Sequence, residues 1–325
     1  MHVRNILLLL PCLLRAQPET ALLQQGVTLS LHHHYPQALA LFSAVADSFP
    51  DHPAAFFFQA ALYQSMMLDL ETNQWQSLFY RHIDQTITLA KKKPEDRWYR
   101  FYLGAALSYK SYQLARQKKY VSALSHILGS IKELNRLLKE DSSFCDPLLG
   151  VGNYLYWRSK LVAWLPLVAD KKEEGRKYIH QAYECSLFSR GAALSSLCWI
   201  AIEEKAYGRA VELGRQGLAE YPHSRFFLWP LAEALFRQHD YEAARQVYQE
   251  ILISLTEVQP NNHYNEIVLL WKLAQCEHHL GHAVASQNLA RRVLLVQPDE
   301  EVRDRAKDEK EGALRLLQEM EREKH

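Results

Sequence analysis

The phrase of a tyrosine three residues ahead of an alanine recurs along the chain, as at Tyr35 and Ala38, Tyr120 and Ala123, Tyr207 and Ala210, Tyr241 and Ala244. Tyr207 and Tyr241 stand 34 residues apart. Pro50 follows Tyr35 by fifteen residues, as Pro222 follows Tyr207 and Pro94 follows Phe79. Apolar residues recur around these markers at three- and four-residue steps, the spacing of one helix face. Ala38, Leu41, Phe42, Val45 and Phe49 make one stripe; Ala210, Leu213, Gly217 and Leu218 make another. Proline and a polar turn close each stripe, because proline cannot continue a helix. A second apolar helix precedes the marker, over 192–202 before Tyr207 and over 226–236 before Tyr241. A helix pair on a fixed period cannot bury its apolar faces alone, so successive pairs must stack.

Composition agrees. The 325 residues include 12 glycines and 12 prolines, 24 in all, too few for the many corners of a sandwich or barrel. A hydrophobic share of 48% excludes disorder. With 38 basic and 37 acidic side chains, net charge gives no reason to expect binding to nucleic acid or to acidic lipid.

A helix-turn-helix of 34 residues with a small residue after the aromatic and a closing proline resembles the tetratricopeptide repeat. In that register Leu231 and Ala232 take the Leu-Gly pair of the first helix, and Ala244, Tyr248 and Ile251 take the small, aromatic and small positions of the second. Gly26, Leu103-Gly104 and Leu280-Gly281 are echoes. The resemblance is good over 207–260, fair over 35–53 and degenerate elsewhere. It implies an all-α fold, a right-handed superhelical solenoid of antiparallel helix pairs. Seven pairs are expected, near 18–50, 53–93, 95–141, 146–188, 190–221, 223–258 and 262–297. The solenoid then occupies 17–298, with a charged capping helix over 299–325 whose apolar side chains are Leu314, Leu316 and Leu317. A softer joint is expected between Pro166 and Lys172. The runs Gly150–Ser159, Trp164–Asp170 and Ser224–Trp229 are similar to a pattern in exported bacterial repeat proteins, which implies envelope location and no activity.

The first residues read as a separate object. A basic start (His2, Arg4), an apolar stretch from Ile6 to Leu14 and Arg15-Ala16-Gln17 have the layout of a signal peptide, 1–16, cut after Ala16. Export to the periplasm or cell envelope would put the remaining cysteines in an oxidising compartment. The five cysteines, Cys12, Cys145, Cys185, Cys198 and Cys276, form no C-x-x-C pair. In stacked repeats Cys185 and Cys198 face each other, and they form either a disulfide or two buried thiols.

No catalytic signature is present: no Gly-x-Ser-x-Gly, no His-Glu-x-x-His, no phosphate loop. Gly150 and Gly152 sit in a helical pattern, where glycine permits close helix packing. Glu173-Glu174 and Glu203-Glu204 are adjacent residues that point apart, not paired carboxylates across a cleft. His278 and His282 are four apart, but Gly281 ends their helix; with His32, His33, His34 and His239 they fall at turns and read as solvated. No metal, no cofactor and no enzymatic activity are expected.

The aromatics remain. In the family the first helix of each pair lines the concave surface, and register puts Trp157, Trp199, Phe226, Trp229, Phe236, Arg237 and Trp271 on or near it. Aromatics with arginine anchor polypeptides in grooves, although large apolar residues also fill cores. The expected function is a protein-interaction scaffold of the bacterial envelope, binding a protein or peptide partner in that groove. The alternative is a transporter-associated accessory protein that encloses a small apolar or aromatic ligand. An enclosed apolar cavity would favour the second reading, an open groove the first.

Overall fold

The computed structural model describes residues 18–164, 169–256 and 258–322. The expected signal peptide and residues 166–168 of the Pro166–Lys172 joint lie outside them. Among the described residues there are fifteen α-helices and no strand. They pair in order: α1 (Pro18–Leu31) with α2 (Tyr35–Ser48), α3 (Pro53–Asp69) with α4 (Gln76–Ala90), and α5 (Arg97–Arg116) with α6 (Tyr120–Glu140). Next come α7 (Asp146–Leu161) with α8 (Lys172–Cys185) and α9 (Arg190–Glu203) with α10 (Tyr207–Glu220). The last two pairs are α11 (Arg225–Arg237) with α12 (Tyr241–Leu255), and α13 (Tyr264–His279) with α14 (Ala283–Leu295). Each helix packs on the next, and α3, α5, α7, α9 and α11 also pack on one another in sequence, so the first helices of the pairs form one continuous layer.

The tyrosine of each marker is the first residue of a second helix, at α2, α6, α10 and α12. Its alanine partner is buried in every case, because only a small side chain fits where the two helices of a pair cross. Ala210 and Leu213 hold the inward stripe of α10, while Phe49, expected to end the α2 stripe, is exposed just past the helix end. Six of the seven turns inside the pairs share a feature: His33, Glu71, Lys118, Lys205, His239 and Gly281 all have positive φ. Five of these six positions carry a side chain where glycine would be unstrained, which is why so few glycines suffice.

The α7–α8 pair approaches backbone to backbone. A Cβ on Gly152 would lie 2.7 Å from the Gly175 carbonyl oxygen, and one on Gly175 2.6 Å from that of Gly152. Neither alternative for Cys185 and Cys198 holds for both residues: Cys185 bonds to Cys145, with Cα atoms 5.8 Å apart, and Cys198 is a buried free thiol. Cys145 directly precedes α7 and Cys185 ends α8, so the bond clamps the open end of the hairpin; register placed Cys198 against the wrong neighbour. Next to the clamp, the buried Asp146 carboxylate accepts the backbone N–H of Leu187 at 3.1 Å and of Phe188 at 2.9 Å.

A 3-10 turn, Glu300–Val302, leads into the capping helix α15 (Lys307–Arg322). Its buried side is Gly312, Ala313, Leu316 and Met320; Leu314 is exposed, since it lies off the face turned to α13 and α14.

The superhelix also meets itself. Asp69, at the end of α3, receives Arg225 of α11 through Nε at 2.8 Å and Nη2 at 2.5 Å, and the Tyr35 hydroxyl at 2.8 Å. Ser224 donates to the Leu31 carbonyl at 2.6 Å, Asn262 to that of Glu71 at 3.0 Å and Asn265 to that of Asp69 at 2.8 Å. Arg305 reaches Glu71 at 2.7 Å across 234 residues. His33 therefore departs from the solvated expectation: its side chain is 11% exposed, with its ring 3.7 Å from Asp69. Burial is the main reason its pKa falls to about 4. Burial also presses the Asp69 carboxyl upward, but Arg225 outweighs it and holds the group below the ordinary range.

Candidate partner-binding surface

The layer of first helices is stitched by polar side chains. Asn153 of α7 donates to Ser196 of α9 at 3.2 Å, and Lys272 of α13 reaches Glu233 of α11 at 2.8 Å. Between α9 and α11 the Ser195 hydroxyl lies 3.4 Å from the Phe226 carbonyl. That carbonyl has no helical partner, because Pro230 inside α11 has no N–H to give it.

One helical turn beyond Asn153 comes Trp157, and three residues beyond Ser196 comes Trp199. The two indoles therefore stand at the same level on neighbouring helices. Both are exposed, at 40% and 41%. Lys160 lies over the Trp157 ring at 5.7 Å and pairs with Glu203, closing the polar border of this apolar step. An exposed pair of indoles beside a fixed ion pair can take an apolar side chain and orient the polar backbone around it.

The other expected residues divide. Phe226 is exposed, at 40%, but lies near the start of α11, toward the end of the layer where the superhelix closes. Trp229 and Phe236 are half-buried against the main core. Phe236 packs on Tyr241 and lies under the Lys272 ammonium at 4.8 Å. Arg237 is exposed and tied to Glu233 at 2.7 Å. Trp271 is half-buried beneath the cap, where a Cβ on Gly312 would meet its ring at 2.7 Å. The structure thus brings Trp157 and Trp199 together, and Phe236 with Arg237 through Glu233, but does not assemble all seven.

Sequence reasoning missed the charged partners. Glu233 joins Arg237, Lys272 and the Tyr248 hydroxyl. Burial pushes its carboxyl up, yet Lys272 and Arg237 prevail and keep it below the ordinary range. The available signal was the repeat itself, which places Glu233 34 residues after Trp199.

Two cavities adjoin the C-terminal repeats. One of about 280 Å³ lies among Leu252, Ile253, Asn262, Asn265 and Arg292; one of about 240 Å³ lies among Trp271, His278, Arg315 and Glu319. Both mix polar and apolar walls. Among the described residues there is no cluster of metal-ligating side chains, and no helix is long and apolar enough to cross a membrane. His282 directly precedes α14, beyond the turn at Gly281, and its ring contacts Glu277 at 2.6 Å.

The fold is that of a tetratricopeptide-repeat superhelix. The chain is similar, at TM-score 0.56 and 14% identity, to the crystal structure of the APC/C hetero-tetramer Cut9–Hcn1, covering 84% of this chain and 45% of that one. It spans less than half of that structure's length. A tetratricopeptide-repeat protein of Cytophaga hutchinsonii matches at TM-score 0.45 and 13% identity, covering 88% of this chain and 98% of that one. Another, from Parabacteroides merdae, matches at 0.42 and 12%, covering 91% and 98%. No protein-family model matches the sequence, and no curated protein matches it.

Proposed function

We propose that this protein is a non-enzymatic scaffold that holds a polypeptide against its inner layer of helices, in the cell envelope. The observation that carries the reading is that Trp157 and Trp199 are both exposed, each about one turn beyond the Asn153–Ser196 contact and next to the Lys160–Glu203 ion pair. An extended layer with solvent-facing indoles suits a chain of residues better than a small molecule. The small-ligand alternative gains no support from the two cavities, which have mixed walls and fall below the ~300 Å³ usual for enclosed ligand sites. A solved structure of like fold, Cut9–Hcn1, belongs to a hetero-tetramer. Export is supported by the N-terminal sequence and by the Cys145–Cys185 disulfide, a bond kept in oxidising compartments.

Affinity capture from envelope extracts with wild type and a Trp157→Ala/Trp199→Ala variant tests the reading. Both side chains are exposed, so the variant should fold. Polypeptides retained by wild type and lost from the variant are expected. The same set retained by both would refute the site.

A further inference from the structure

From Arg97 to Lys132 the chain carries no aspartate or glutamate, but seven basic residues. Four of them are answered from elsewhere: Arg97 by Asp141, Arg100 by Glu140, Lys110 by Asp84 and Arg116 by Glu71. Lys118, Lys119 and Lys132 are exposed and have no ion pair among the described residues. They bracket an apolar row on α6. Tyr120, Leu124, Leu128 and Lys132 follow at four-residue steps, hence on one face of the helix. Tyr120 is 65% exposed, Leu124 58% and Leu128 51%; beside them Val121 is 86% exposed. The next turn along the same edge, after α7, adds Trp164 at 78%. Large apolar side chains standing this far into water in adjacent turns need a partner surface.

We infer that this corner of the superhelix, α6 with Trp164 beyond the end of α7, docks onto an anionic lipid bilayer. Side chains more than half exposed do not line a groove that could seat a partner helix, whereas a bilayer interface accepts such a row. Tyrosine and tryptophan with apolar neighbours suit the headgroup boundary, and lysines at both ends of the row meet anionic headgroups. The local excess of positive charge, in a chain of net charge +1, supplies the complementarity. This proposal is independent of the indole pair on the inner layer, and its test reads a different ligand.

Co-sedimentation of the full chain with phosphatidylglycerol–phosphatidylcholine vesicles, against phosphatidylcholine alone, at about 0.1 M salt, tests it. Binding to the anionic vesicles alone is expected, weakening as salt rises. Val121→Asp/Leu124→Asp should lower affinity about tenfold or more while leaving the thermal midpoint unchanged, since both side chains are solvent-exposed. Lys118→Glu/Lys119→Glu should weaken binding several-fold and flatten the salt dependence. Equal binding to neutral vesicles, or unchanged binding by the aspartate variant, would overturn the proposal. So would absent vesicle binding, whether the wild type alone dimerises in sedimentation equilibrium, is retained on immobilised polyglutamate or does neither.

Discussion

At the scale of single residues, the turns carry a cost that the sequence half discloses. A polar residue just before each second helix was legible as a corner; its positive φ was not, since lysine and histidine do not advertise a left-handed backbone. Lys205 is exposed with φ 59 and makes no ion pair among the described residues. Lys205→Gly should raise stability by about 0.5–1 kcal/mol, read from the urea midpoint. Ser195→Ala should lower it by about 1 kcal/mol, because the Phe226 carbonyl opposite Pro230 then loses its donor. His33 is a different case, with Asp69, Tyr35, Arg225, His32 and His34 around it. Its folded pKa of about 4 lies below the ordinary 6.5, so the folded state prefers the neutral ring. The stability this provides is whole above pH 6.5 and is lost as pH falls toward 4, by on the order of 3 kcal/mol at most. His33→Asn, which tolerates the same backbone, should flatten the thermal midpoint over that window. An unchanged slope would assign it to other groups.

At the scale of elements, helix positions were readable because the period is written in buried side chains. Ala244, Tyr248 and Ile251 are all at or near zero exposure, as the repeat register requires. Packing between pairs was less readable. The register brought Cys198 near Cys185, but the clamp joins the start of α7 to the end of α8, a closeness set by Gly152 against Gly175. Denatured, unreduced chain beginning at Gln17 should therefore titrate two free thiols, Cys198 and Cys276, where an unbridged chain would titrate four. Cys145→Ser should cost about 2–4 kcal/mol in oxidised protein and nothing extra under reductant. The candidate site was legible only in part for a related reason. Register says which helix lines the inner layer, but the burial of Trp229 and Trp271 depends on how far each ring leans toward its neighbouring pair and on the cap.

At the scale of the whole molecule, a solenoid ordinarily couples only adjacent repeats. Here Arg225 and Asp69 join the second pair to the sixth, and Arg305 joins the cap to Glu71. Nothing local in the sequence signals such contacts, which form only because the superhelical turn is tight enough to return upon itself. Arg225→Met would strand a buried carboxylate and should cost about 3–5 kcal/mol; adding Asp69→Asn should restore part of it. Hydrogen exchange should show α1 and α13 losing protection before α7 in the single variant, whereas uniform loss would mean that the ends are not separately latched. A superhelix closed in this way presents its inner layer as a fixed surface, with the indoles of α7 and α9 facing solvent. A photo-crosslinking residue placed at Trp199, compared with one at exposed Glu212 on α10, addresses that surface directly. In envelope extracts, position 199 is predicted to yield a discrete crosslinked polypeptide that position 212 does not. Identical products from both positions, or none from 199 while affinity capture still retains a partner, would contradict binding at the inner layer.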